Sequence, residues 1–283
     1  MNRIEDFRRI YAQVVTAMAE VTEPRITEAF ARVPREHYLG GGPWDFLQGD
    51  GYVRIESNDP ACLYQNFLVA IDAERGLNNG EPIFLARMID LLAPQPGEHV
   101  VHIGTGTGYY TAILAELVGT HGRVTAFEVD PELAARSREN LAHYRQVEVL
   151  SDSGVGLAAS GIDGIYVNAG ATHPLAAWLE ALAPSGRLVL PLTTSSEENG
   201  GRGLVAKIRA EPPHYAARLV CRVGIFHCLG AREAAAEKLL SEALEDPRRK
   251  EVRSLRREPH AVEETCWLHG DGYCFSTRKA GVR

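Results

Sequence analysis

Residues 100–110 read VVHIGTGTGYY, an apolar run followed by three alternate glycines, Gly104, Gly106 and Gly108, and then at once by the helix-like TAILAELV. Without Cβ atoms, such a backbone can turn tightly and lie close against a ligand. In an open α/β sheet the ligand crevice lies beyond the carboxyl ends of the strands, where a glycine turn feeds a helix N-terminus. This stretch therefore predicts a nucleotide-type cofactor at 104–108. The competing reading is a turn that only packs the helix onto the strand.

The rest of the chain supports the first reading. HVVHIG, RVTAFEVD, VEVLS, GIDGIYVNAGA and RLVLPL are short apolar strands, and they alternate with helix-like YYTAILAELVG, PELAARSRENLAHY and PLAAWLEALAPSG. This alternation predicts a Rossmann-like, doubly wound, mostly parallel sheet. RGLVAKIRA and AARLVCRVGIFHCL predict an antiparallel addition after 195. A charged helix over 231–256 and a last strand, ETCWLHGDGYCFSTR, form a C-terminal helix–strand extension. Before the sheet, residues 4–38 are helical, with Ile4, Phe7, Ile10, Tyr11, Val14 and Val15 at helical spacing. GGGPWDFLQGDG at 40–51 has the composition of a loop. The expected organisation is an N-terminal helical and loop segment (1–60), a core (61–230) and an extension (231–283).

Among the 283 residues, 45% are hydrophobic and 24% charged, with a net charge of −7. An acidic balance disfavours nucleic acid or an anionic membrane as partner, since both select a basic face. No stretch approaches the roughly 18 uninterrupted apolar residues of a membrane span. MNRIEDFRRIYAQ lacks an apolar signal core, so a cytoplasmic location is expected. Five cysteines, in no CxxC pair, read as reduced thiols. His260, Cys266, His269 and Cys274 suggest a metal, but C-x-x-H-x-x-x-x-C is no usual zinc spacing. Strand alternation also sends Cys266 and Trp267 to opposite faces. No metal is expected there. DPRRKEVRSLRREP carries six basic residues among acids and reads as a solvated helix face.

The second strand ends in Glu128, about 20 residues after the glycines, where an acid accepts from ribose hydroxyls. The loop holds no Lys or Arg and does not match G-x-x-x-x-G-K-[ST]. The third strand ends in Ser151-Asp152-Ser153, where an acid can accept from an adenine amine. Together these residues resemble the class I S-adenosylmethionine-dependent methyltransferases. The resemblance implies S-adenosylmethionine as cofactor, with Gly104, Thr105 and Gly106 against its methionine and ribose part. It places Glu128 on the ribose hydroxyls, Val129 on the adenine, and Asp152 with Ser153 on the amine edge. It also gives His102, Ile103, Gly108 and Tyr109, around the same loop, as cofactor-binding residues. His102 departs from the family, many of whose members carry an acid there.

The flanks resemble the protein-L-isoaspartate O-methyltransferases over roughly residues 20–230. ITEAFARVPREHYL is similar to their V-P-R-E entry segment, LYQNFLVAI to their Y-x-D-x-x-L-P-I, and GRLVLPL to their closing strand. Asn66 stands in place of that acid and Ala70 in place of that proline. Aligned on Pro82, the family's substrate loop T-I-S-x-P is here Asn78-Asn79-Gly80-Glu81-Pro82, so its hydroxyls are missing.

That loss favours a methyltransferase acting on a small metabolite or modified peptide at carbon, nitrogen or oxygen. The alternatives are isoaspartyl (D-aspartyl) carboxyl O-methylation and a non-catalytic cofactor-binding or interaction protein. Glu81 and His173 are the candidate acid–base groups. Tyr64, Asn78, Asn79, Asn168 and Thr172 are the candidate substrate contacts. The extension is a candidate homo-oligomer surface.

Overall fold

The computed structural model describes residues 3–196 and 200–281. They form two compact, discontinuous units. One takes the chain up to Gly97 and again from Thr105 to Ser151; the other takes Glu98–Gly104 and the chain from Asp152 onward. These boundaries do not coincide with 60 and 230. One crossover between units falls inside the glycine loop, at the Gly104–Thr105 peptide.

In the first unit the helices are Arg3–Met18, Pro24–Arg32, Arg35–Leu39, Pro82–Leu92, Tyr109–Val118 and Pro131–Leu141, and strands Arg123–Phe127 and Val147–Leu150 pair in parallel. Tyr109–Val118 is buried along almost its whole length, as an all-round apolar helix must be. Pro131–Leu141 starts where Asp130 accepts from the N–H groups of Glu132 and Leu133, with proline at its first position.

In the second unit Ile162–Val167 lies between His99–Ile103 and Leu182–Ser195, all parallel. Beyond Leu182–Ser195 the order continues antiparallel through Gly200–Glu211, His214–Phe226, Ser254–Arg256, Tyr273–Ser276 and Cys266–Gly270. The mixed α/β class with an antiparallel addition is as expected.

Four local expectations are corrected. The loop at 40–51 contributes to a hairpin, Trp44–Gln48 with Gly51–Ile55, in which Trp44 and Phe46 alternate inward onto Leu39, Leu63 and Val69. Its glycines mark the turn, not the whole segment. The charged helix is only Ala234–Glu245, because Pro247 cannot continue it and Asp246 caps a short 3-10 turn instead. Half of its six basic residues are ion-paired, Arg248 with Asp246, Arg256 with Glu258 and Glu263, and Arg257 with Glu180.

The last strand is a hairpin, Cys266–Gly270 with Tyr273–Ser276, carrying a bulge: Cys266 opposes Ser276, whereas Leu268 opposes Phe275 and His269 opposes Cys274. Trp267 is the extra residue, so alternation does not hold across it. On the first helix, Tyr11 and Val15 are buried while Phe7, Ile10, Val14 and Met18 form an exposed apolar row.

The V-P-R-E segment owes its form to one cation. Arg35 is fully buried, and its guanidinium donates to the carbonyls of Leu63 (2.6 Å), Gln65 (3.0 Å) and Phe67 (2.8 Å). It thereby fixes the irregular segment LYQNF, which has no ladder to satisfy those groups. Glu36, next in sequence, accepts from the Tyr64 hydroxyl. Arg35→Met should cost about 3–5 kcal/mol of unfolding free energy by orphaning buried carbonyls. Arg35→Lys should recover only part of it, since an ammonium lacks the planar fork. Urea denaturation of both variants measures this.

Candidate active site

In the first unit the glycine loop meets the second strand. Thr105 N–H donates to Phe127 O (3.1 Å), and Gly106 N–H donates to the Glu128 carboxylate (2.7 Å). Glu128 also accepts from Asp130 N–H (3.1 Å) and is buried. Burial pushes its carboxyl up from the usual range, and the Asp130 and Gly106 N–H donors pull it partly back. Each carboxylate oxygen keeps a further lone pair for an outside donor. Val129, beside it, leaves an apolar side chain 47% exposed.

Two of the glycines have distinct tasks. At Gly108, with φ +96°, a Cβ would fall 2.9 Å from Leu141 Cδ1, so the third glycine serves helix packing. At Gly106 a Cβ would meet only Ile71 Cδ1, at 3.8 Å, which leaves open space over the backbone. The hydroxyls of Thr105 and Thr107 are buried there and make no hydrogen bond among the described residues. Open space, orphaned hydroxyls and a buried acid suit a polar nucleoside ligand such as S-adenosylmethionine. Thr107 was not singled out from the sequence because it falls between the glycines that carry the pattern.

The substrate-loop candidates are also in this unit. Asn66 Oδ1 accepts from Ile83 N–H (2.8 Å) at the start of helix Pro82–Leu92, and its Nδ2 donates to Glu81 Oε1 (2.7 Å). An acid at 66 would repel Glu81, so the amide there and the glutamate at 81 match one another. Asn78 Oδ1 accepts from Gly80 N–H (2.9 Å), and its Nδ2 reaches the Tyr52 hydroxyl (3.2 Å). Asn79 is buried, and its Nδ2 has no hydrogen-bond partner among the described residues. Arg75, in the turn joining the short strands Ala70–Asp72 and Leu77–Asn78, pairs with Asp130 just after Glu128. Tyr64 is buried with its hydroxyl on Glu36 and its ring edge-on to Tyr11 (5.5 Å), so it is a packing group. Tyr109 likewise packs on Phe30, Tyr38 and Tyr110.

The second unit holds the other candidates. His102 is fully buried and stacked on Tyr166 (5.1 Å between ring centroids, 11° between planes), and burial holds it down to about 3. It is a neutral core ring at the place where the family resemblance leads to an expected acid. Ile103 is buried beside it in the same strand. Asn168 N–H donates to Ile103 O (2.7 Å) and its Nδ2 to Gly104 O (3.4 Å), so it holds the first glycine in place.

Thr172 Oγ1 accepts from Glu233 N–H (3.1 Å) and lies 3.0 Å from His173 Nδ1. His173 Nε2 is 3.6 Å from Glu233, and the ring stacks on Tyr273 (5.6 Å) and is 9% exposed. Burial lowers its pKa, with Glu233 opposing. Asp152 Oδ1 accepts from Gly154 N–H (3.1 Å) and Ser153 Oγ (3.4 Å), an Asx turn after the third strand.

A glycine loop between a parallel strand and its helix, with a buried acid ending the next strand, is an arrangement that class I S-adenosylmethionine-dependent methyltransferases share with other Rossmann-like nucleotide-binding folds. The family model described as protein-L-isoaspartate(D-aspartate) O-methyltransferase matches residues 13–201, which places the chain in that methyltransferase class. The chain belongs to that family. A protein-L-isoaspartate O-methyltransferase of Aeropyrum pernix is 39% identical over 179 residues, which span 62% of each chain, under two thirds of the relative's length. That of Methanopyrus kandleri is 34% identical over 66% of this chain and 78% of its own.

A solved protein-L-isoaspartate O-methyltransferase superposes with a TM-score of 0.64 at 18% identity, over 88% of this chain and 72% of its own. A Plasmodium falciparum protein assigned to the same family, solved with S-adenosyl-L-homocysteine, gives 0.59 at 15% identity, over 78% and 97%. Both likenesses are of fold. The matched region ends at 201, short of the 230 expected from motifs, so most of the antiparallel addition lies beyond it.

Glu128→Gln should weaken S-adenosylhomocysteine binding about 10–100-fold, the worth of a hydrogen bond to a charged group. In the wild type, binding should weaken as pH falls through the raised Glu128 value, at a higher pH than an ordinary glutamate would give. The sign for apo stability is opposite. A carboxyl raised on folding favours the fold at acid pH, and that contribution is lost as pH rises through it. Calorimetry across pH and thermal melts of the apo protein separate the two effects.

Proposed function

We propose that the chain transfers the methyl group of S-adenosylmethionine to a carboxylate of a peptide or protein, the isoaspartyl class for which its relatives are named. Asn79 supplies the positioning donor in place of the family's hydroxyls. The observation that carries this reading is the buried Asn79 amide nitrogen, a donor with no internal partner in the substrate-loop segment. A buried donor left unmatched costs about 1–3 kcal/mol, which an incoming carboxylate oxygen would relieve.

The cofactor supplies an electrophilic methyl on a sulfonium sulfur, displaced in line by the acceptor oxygen. A carboxylate arrives already deprotonated, so the protein's task is to orient it and exclude water. The two candidate bases support this division of labour. Glu81 is held by Asn66, and His173 is held by Thr172 and Glu233 under Tyr273, so neither is posed as a free proton acceptor. A carbon or nitrogen acceptor losing a proton would want one. Within the first unit, Glu128 would hold the ribose hydroxyls, Val129 would pack on the adenine, and Thr105 and Thr107 would offer hydroxyls to the polar tail.

Incubation with labelled S-adenosylmethionine and an isoaspartyl peptide should give base-labile methyl ester. Asn79→Ala should lower kcat/KM about 10–100-fold, with S-adenosylhomocysteine affinity unchanged. Absence of base-labile product despite cofactor binding would sink the reading in favour of a binding protein. Restoring the family serine by Gly80→Ser should destabilise the fold by about 1–2 kcal/mol, because residue 80 sits at φ +75°. A thermal melt checks this.

A further inference from the structure

We propose that His260, Cys266, His269 and Cys274 bind one zinc ion in a closed, four-coordinate site that staples the end of the chain. The sequence argued against this cluster on strand alternation, and the Trp267 bulge removes that objection. His269 directly opposes Cys274, and Cys266 opposes Ser276, two residues further along the partner strand. Residues directly opposed, and those two apart on one strand, share a face. The bulge thus brings both cysteines and His269 to one side of the hairpin. His260 arrives from the segment between Ser254–Arg256 and the hairpin.

The ligand atoms of all four residues lie within 4.8 Å of one another. Cys266 Sγ is 3.6 Å from His260 Nε2. A tetrahedral zinc with Zn–S about 2.3 Å and Zn–N about 2.0–2.1 Å requires S···N separations of about 3.5 Å. That edge of the tetrahedron is therefore already formed.

The surrounding groups orient the ligands. His260 Nδ1 lies 2.8 Å from the Glu258 carbonyl, so its N–H donates there and the Nε2 lone pair faces the sulfur. A ligating histidine is usually fixed in this way. Glu263 N–H donates to Cys266 Sγ (3.4 Å) and so fixes the direction of the sulfur. His269 Nδ1 is buried and has no hydrogen-bond partner among the described residues, which is the independent sign that something else should meet it.

Two thiolates with two neutral imidazoles neutralise a divalent cation and select a borderline-soft tetrahedral metal. All four positions come from protein, so no site stays open for water or substrate, and the metal's role is structural. Its effect reaches Tyr273, adjacent to Cys274, whose ring covers His173.

The full chain, purified without chelator from zinc-supplemented cells, should carry about one zinc per chain by mass spectrometry of the metal. Replacement by Co²⁺ should give thiolate-to-cobalt charge transfer in the near ultraviolet and an intense tetrahedral d–d band. Cys274→Ser and His269→Ala should each lower zinc retention by roughly tenfold or more. Cys221→Ser, outside the cluster, should retain it.

Because a cluster variant could fail to fold, the wild type gives a second reading. Titrating it with a mercurial should release about one zinc per chain, in step with modification of the two cluster cysteines and after the more accessible Cys62 and Cys221 have reacted. Metal-free wild type that shows no cobalt spectrum on reconstitution overturns the proposal. So does a native Cys266–Cys274 disulfide, or iron as the resident metal.

Discussion

A buried carboxylate is the constraint on which the site turns. Glu128 leaves water at the end of a parallel strand, and what makes that tolerable is the row of backbone N–H groups from Gly106 and Asp130. Its presence dictates the loop: Gly106 must point its N–H at the acid, and Gly108 must let the helix approach Leu141. Asp130 then caps the following helix and anchors Arg75. One desolvated charge thus organises the loop, the next helix and the hairpin before Pro82.

The substrate segment shows how a family pattern changes in concert. Where relatives carry an acid and hydroxyls, this chain has Asn66, Asn78, Asn79 and Gly80. Asn66 caps a helix and restrains Glu81 with one amide, which an acid could not do, having no donor. Asn78 closes the turn over Gly80 with its own oxygen. The changes form one local hydrogen-bond network, so single reversions toward the family would break a partner elsewhere.

Much of this was legible from residue order alone. The glycine spacing, Glu128 and the alternation of strands and helices are local patterns, and they led to the fold class and cofactor. What stayed hidden depends on distant partners. Arg35 looked like part of a motif, yet it acts through carbonyls 28–32 residues away. Tyr64, Tyr109 and His102 each pack on a ring far away in sequence, Tyr11, Tyr38 and Tyr166, which their places in motifs do not reveal. The Cys–His cluster was dismissed on ideal strand geometry, and one inserted residue, Trp267, undoes that geometry. Glycine-rich composition at 40–51 concealed a hairpin, because turn residues outnumber the two inward aromatics.

Arg232 stands beyond the matched family region, yet its guanidinium grips the Gly170 carbonyl (3.0 Å), Thr193 Oγ1 (3.1 Å) and Glu237 (2.9 Å). The later part of the chain is therefore knotted into the methyltransferase fold rather than hung from it. Gly170 leaves no room for a side chain, since a Cβ there would collide with Thr193. A protein trimmed to the matched region, 13–201, would lose the clasp that joins Gly170, after strand Ile162–Val167, to Thr193 in strand Leu182–Ser195. Such an appendage cannot be exchanged between homologues as an independent cassette; it has to be inherited together with the residues it grips.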